Sequence, residues 1–197
     1  MSWEKKDLKL LCKYAIDRKF IMETGGGVST KKLAKVAKQY GSIMVSIEID
    51  NDRVCNMDGI DHQVGWSITY KDIIKKNDKQ FIETRKKNKY PYEDRNVAVF
   101  GEKYMNGEND LIRKSIKKYG FPPDFFFCDT GEYCGLAEWN VVKDIISVNG
   151  VFACHDIYYP KSIKCFQIVK EIEKSKRWKV LKKTASKQGF FVAKKIL

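Results

Sequence analysis

No apolar run in this chain approaches the roughly 20 residues that a helix needs to cross a bilayer, so no membrane partner is expected. The first residues, Met1-Ser2-Trp3-Glu4-Lys5-Lys6-Asp7, lack the apolar core of a secretion signal, and a cytoplasmic protein is expected. None of the six cysteines (Cys12, Cys55, Cys128, Cys134, Cys154 and Cys165) stands in a CxxC pair, and no zinc-like spacing joins them. Reduced thiols follow. Internal repeats, low-complexity tracts and Pro/Ser-rich linkers are also missing, so residues 1–197 are read as one domain. With 43% hydrophobic residues the chain can bury an ordinary globular core.

Charge is in excess on one side. Thirty-eight Lys and Arg against twenty-five Asp and Glu give +13. Such a field can attract nucleic acid or another polyanion. The basic residues, however, come as scattered pairs such as Lys31-Lys32, Lys75-Lys76, Lys117-Lys118 and Lys182-Lys183. Lysine far outnumbers arginine, the better bidentate reader of phosphate. A solvated lysine-rich surface is the simpler reading.

The most informative stretch is Phe20-Ile21-Met22-Glu23-Thr24-Gly25-Gly26-Gly27-Val28-Ser29-Thr30. An apolar run ends in an acid, passes through three glycines and enters a helix. Glycine lets a backbone approach a ligand closely, as in the strand–turn–helix of nucleotide sites. A second acid, Glu48, closes the next apolar run, 43–47. It lies 21 residues after Gly27, where such sites place the carboxylate that accepts ribose hydroxyls (roughly 20 residues on). The pattern fits a nucleoside-containing cofactor and hence an enzyme.

Helical spacing is predicted over 3–18 and 29–40, with Leu33, Val36 and Ala37 inward, and strands over 19–23 and 43–48. A polar helix is predicted over 72–87 and a short strand over 97–100. Leu111, Ile112, Ser115, Ile116 and Tyr119 form a helical stripe. The continuous apolar run 124–129 reads as a fully buried strand, which makes Phe125-Phe126-Phe127 core, with Cys128 and Cys154 as small apolar residues. A helix over 133–147, a strand over 151–155, a helix opened by Pro160 and strands over 178–183 and 189–194 complete the pass. Alternation implies an α/β fold, a doubly wound, mostly parallel sheet covered on both faces. The last two strands leave no room for a crossover and must pair antiparallel.

Taken together, the acid–glycine turn, the acid after strand two and the terminal hairpin resemble the class I S-adenosylmethionine-dependent methyltransferase family over nearly the whole chain. The pattern is most similar to the macrocin-type small-molecule O-methyltransferases: Phe127-Cys128-Asp129-Thr130-Gly131-Glu132-Tyr133 is followed by Val148 to Asp156, an acid after strand four and His-Asp after strand five. The resemblance implies a seven-stranded Rossmann-like sheet. It also implies an S-adenosylmethionine site made by Glu23, Thr24, Gly25, Gly26, Gly27, Ser29, Glu48, Ile49 and Asp129, with Gly101 and Glu102 at the end of strand three beside the adenine. It implies a small-molecule acceptor. Asp129 and Asp156, at the ends of neighbouring strands, can hold Mg²⁺ through oxygen ligands, and the ion would lower the pKa of an acceptor hydroxyl. Asp129 and His155 are the catalytic candidates, His155 as general base.

Simpler roles exist for each. Asp129 can cap a turn, Asp156 a helix start, and His155 can be a hydrogen-bonded core residue. His62, Trp66 and Tyr70 suggest an acceptor lid, or a surface loop with anchoring aromatics. A nucleic-acid methyltransferase is the main rival. The charge favours it, but the Asp/Asn-Pro-Pro-aromatic tetrapeptide of base-methylating enzymes is missing, and Phe121-Pro122-Pro123-Asp124 is not that motif. A nicotinamide oxidoreductase fits the glycine turn and Glu48 alone, without the hairpin or a Tyr-x-x-x-Lys pair. A cofactor-binding module without turnover is a fourth reading, and a homo-oligomer is compatible with the sequence.

Overall fold

Five parallel strands and a terminal hairpin make one sheet, in the order β3-β2-β1-β4-β5-β7-β6. The computed structural model describes residues 3–55, 57–69, 71–72, 109–131, 134–158, 162 and 164–197. The strands are β1 (Phe20–Thr24), β2 (Ile43–Glu48), β3 (Asp61–Val64), β4 (Phe125–Cys128), β5 (Val151–His155), β6 (Trp178–Lys183) and β7 (Phe190–Lys195). The helices described are α1 (Lys5–Ala15), α2 (Val28–Tyr40), α3 (Leu111–Tyr119), α4 (Gly135–Ile145) and α5 (Phe166–Lys174). β7 runs antiparallel to both β5 and β6, so β6 points the same way as the first five strands.

The central strands are largely apolar because both of their faces are covered, with polar residues concentrated toward their carboxyl ends (Glu23, Thr24, Ser46, Glu48 and His155). Phe20, Met22, Val45, Ile47, Phe126, Cys128, Phe152, Cys154, Phe191 and Ala193 point into one core with residues of α3, α4 and α5. The alternate residues Ile21, Met44, Phe125, Phe127, Val151, Ala153, Phe190 and Val192 point into a second core against α1 and α2. This period-two division is what strand geometry demands of a three-layer sandwich. The three phenylalanines of β4 are core, as the apolar run predicts: each is fully buried.

Strand order reverses between β1 and β4, whose crossovers leave toward opposite faces. Open α/β sheets bind ligands in the crevice at such a point, beyond the carboxyl ends of the strands. The opposite end is closed by Asp124, whose carboxylate accepts from the backbone N–H groups of Lys19 at 3.0 Å and Phe20 at 2.9 Å. Phe121-Pro122-Pro123-Asp124 therefore staples the far edge of the sheet and stands away from the crevice.

Two expectations are corrected. The strand beside β2 is Asp61–Val64, paired Ser46 to His62 and Ile47 to Gln63, not 97–100. His62 is thus part of the sheet and not of a lid. The strand has no apolar signature because, among the described residues, it lies at an edge with only β2 as a neighbour, and its side chains are half-exposed. The helix after β5 is Phe166–Lys174, later than a start at Pro160 implies. Pro160, Tyr70, the segment 97–100, Gly101 and Glu102 lie outside the described residues, as does 73–87 of the expected helix.

Candidate active site

The turn after β1 is built on a close backbone approach. Gly25 has φ +86°, a region that disfavours any side chain. A Cβ there would lie 2.2 Å from the backbone oxygen of Asp129. Gly25 N–H donates to Ile47 O at 2.9 Å, and Asp129 N–H donates to Thr24 O at 2.9 Å. The ends of β1, β2 and β4 are thereby pinned together. Gly27 leads into α2, and its N–H donates to Thr30 Oγ1 at 2.8 Å.

Glu48 caps this arrangement. Its Oε2 accepts from Gly26 N–H at 2.7 Å, and its Oε1 from the N–H groups of Ile49 at 2.7 Å and Asp50 at 3.0 Å. A carboxylate oxygen has two acceptor positions. Oε1 is therefore filled and Oε2 keeps one. The glycine turn and the acid after β2 form one unit, as their spacing predicts, but a hydroxyl partner would meet Oε2 rather than both oxygens.

Two carboxyls beneath the turn are internal. Glu23 is fully buried. It accepts from Ser29 Oγ at the start of α2 and from Ser46 Oγ on β2 at 3.2 Å. Burial pushes its pKa up to about 7, and the Asp129 charge adds to the rise while the hydroxyl donors oppose it. Placed by the resemblance in the donor site, Glu23 is bonded to hydroxyls around the turn, a geometry that matches shaping the turn. Glu138 on α4 is the second. It accepts from Thr24 Oγ1 at 2.7 Å and from Ser67 Oγ, with Cys128 Sγ at 3.5 Å. Burial raises its pKa as well. Sequence reasoning missed Glu138, although it sits on the inward stripe of α4 with Val141 and Val142, where an acid among apolar residues is a signal of a buried role.

At the ends of β4 and β5 the expected acids do meet. Side-chain ligand atoms of Asp129, His155 and Asp156 all lie within 4.8 Å of one another. Between the acids stands a residue that the sequence did not single out. Lys164 Nζ is 2.6 Å from Asp129 Oδ1 and 2.7 Å from Asp156 Oδ2, and the lysine is only 4% exposed. Burial pulls the ammonium down, but the two carboxylates outweigh it and hold Lys164 well above its ordinary pKa. Burial likewise lifts Asp156, yet His155 and Lys164 beside it bring it to about 2. Asp129 sits above its ordinary value because burial exceeds the pull of the shared ammonium. Lys164 is one of many lysines, and nothing in its local sequence separates it from the surface ones.

His155 Nδ1 is 3.3 Å from Asp156 Oδ1. Its ring is 2% exposed and stacked by Trp3, with centroids 4.2 Å apart and planes 15° from parallel. Trp3 also tilts against Phe127 and Phe190, and Lys187 N–H donates to Glu4 Oε1 at 2.7 Å. The segment before α1 therefore covers the histidine. An acid–histidine contact under an indole plane is a positioned pair, closed on the α1 side of the sheet. As for a divalent ion, oxygen and imidazole donors are the right ones, but as arranged they surround an ammonium and do not fit Mg²⁺ in addition.

No family model matches the chain, and no curated protein matches it. Solved structures do. The chain is similar to the O-methyltransferase TomG from Streptomyces achromogenes, solved with SAM, at 14% identity over 100% of this chain and 82% of that one, with a TM-score of 0.60. It is similar to the O-methyltransferase from Bacillus cereus, solved with SAH, at 14% identity over 98% and 82% of the two chains, TM-score 0.55. MycE, a methyltransferase of mycinamycin biosynthesis solved with Mg, SAH and mycinamycin VI, matches at 10% identity over 95% of this chain and 48% of its own, TM-score 0.57. At these identities the likeness establishes the fold: a Rossmann-like methyltransferase sheet with its terminal antiparallel hairpin.

Proposed function

We propose that this protein is an S-adenosylmethionine-dependent methyltransferase that acts on a hydroxyl of a small molecule. The observation that carries the reading is the unit formed by Gly25–Gly27 and Glu48 at the point where strand order reverses. Residues 25–27 carry no side chains, a Cβ at Gly27 would meet nothing within 4 Å, and Glu48 Oε2, which accepts from Gly26 N–H at 2.7 Å, keeps one acceptor position. The donor's sulfonium is already an activated leaving group, so the protein's work is to hold donor and acceptor in line.

In this reading the glycine turn passes beside the methionine part of the donor and Glu48 accepts a ribose hydroxyl, a charge-assisted bond. Glu23, Ser29, Thr24 and Glu138 hold the turn from beneath. Ile49, half-buried beside Glu48, lines the nucleoside side. The acceptor approaches past Asp129, beyond the end of β4. Asp129 carries a carboxylate already bonded to Lys164, so it orients the acceptor, and the Asp156–His155 pair behind it receives the proton. SAM and SAH in the similar TomG and B. cereus structures support the choice of donor.

Calorimetry with S-adenosylmethionine, S-adenosylhomocysteine and NAD separates the enzyme readings. Heat with the first two and none with NAD is expected; the reverse would assign an oxidoreductase. The nucleic-acid alternative rests on the +13 charge. It requires RNA binding that weakens steeply with salt, and methyl transfer to that RNA.

A further inference from the structure

Lys164 is set in place by the fold. It follows β5 by a short connection, and its N–H donates to Ser162 Oγ at 3.1 Å. Its backbone lies against the first turn of α4: a Cβ added at Gly135 would lie 2.5 Å from Lys164 O. Only a glycine at that position lets the two segments meet so closely. The side chain then runs inward and ends between Asp129 and Asp156, at 2.6 and 2.7 Å. Asp156 itself is held at φ +60°, a left-handed conformation that aspartate tolerates better than most residues, and its N–H donates to Gly189 O at 3.1 Å. Three separate constraints converge on one ion cluster.

We propose that Lys164 is the resident cation of this site, and that its ammonium takes the place a divalent metal would otherwise hold between Asp129 and Asp156. The inference deepens the methyltransferase reading, because an acceptor would then meet a fixed monocation that cannot be removed by a chelator. A divalent ion needs the same carboxylate oxygens at close range, and an ammonium already bonded to both acids repels it. Two carboxylates leave a buried charge that must be paired or coordinated, and Lys164 supplies the pairing from within the chain. Lys164 is thus a positioning residue: it fixes both acids without touching the transferred group.

The test is a Mn²⁺ titration of the purified full-length protein, read by the electron paramagnetic resonance of the free ion, with Mn²⁺ standing in for Mg²⁺. The wild-type protein is expected to leave the free-ion signal as in buffer. Lys164→Ala is expected to take up one Mn²⁺ at least tenfold more tightly, and Asp129→Asn added to it to abolish that uptake. Wild-type uptake that Asp129→Asn removes would overturn the proposal, as would a folded Lys164→Ala protein that takes up no ion. Should Lys164→Ala not fold, Lys164→Gln carries the same comparison, and the wild-type titration decides without any variant. None of these readings involves the methyl donor, so a failure to bind S-adenosylmethionine would remove the proposed function and leave this result standing.

Discussion

Glu23→Gln should change how stability depends on pH, by an amount that follows from the structure. The Glu23 carboxyl is fully buried, and burial lifts its pKa from 4.5 to about 7. Below the lower value the group is protonated in both folded and unfolded chains. Between the two values the folded chain keeps the proton and the unfolded chain releases it, so unfolding is favoured progressively as pH rises. Above the upper value the loss is complete. One pKa unit corresponds to about 1.4 kcal/mol, which makes the full loss about 3 kcal/mol. Glutamine keeps an acceptor for Ser29 and does not titrate. The assay is thermal or urea unfolding of both proteins from acid to mildly alkaline pH, taken as a difference so that distant titrating groups cancel. Relative to Glu23→Gln, the wild type should lose about 3 kcal/mol across this window, or roughly 6–12 °C in Tm for a chain of this size. A difference that stays flat with pH would refute the reasoning, because it would mean that the carboxyl gains no proton affinity on folding.

Other outcomes follow from the same geometry. Glu48→Ala should weaken S-adenosylmethionine binding by about 1.5–3 kcal/mol, the scale of a hydrogen bond to a charged group; calorimetry giving an unchanged affinity would contradict the ribose role. Gly25→Ala should destabilise the fold by at least about 1–3 kcal/mol, since φ +86° and a Cβ 2.2 Å from Asp129 O act together, and an unaltered urea midpoint would contradict it. Glu138→Ala leaves the Thr24 and Ser67 hydroxyls without their shared acceptor and should cost about 1–3 kcal/mol for each buried group left unpaired; urea titration of the variant checks this, and a loss below that range would mean that water or a neighbour takes over.

Much of the frame was legible in the residues. Strands with both faces buried announce themselves as apolar runs, and β2, β5 and β6 fall on their expected bounds. The glycine turn and Glu48 were legible because their spacing reflects one crossover helix. Asp129, His155 and Asp156 were legible as strand-end residues, and the fold does bring them together. The remainder was hidden for physical reasons. Asp61–Val64 is polar because an edge strand needs no apolar alternation, so the third strand was sought too late in the chain. Lys164 gains its role from acids 35 residues upstream in one case and across a short connection in the other. A buried ion pair is a tertiary fact that local sequence does not carry. The sequence left His155 open between a general base and a core histidine; what the residues around it could not show is its cover, Trp3, at the far end of the chain.

The most direct measurement is the crystal structure of the protein grown with S-adenosylhomocysteine. The account predicts density for the nucleoside over Gly25–Gly27, with a ribose hydroxyl at hydrogen-bond distance from Glu48 Oε2. Density for the ligand elsewhere, or a turn left bare at saturating ligand, would contradict it.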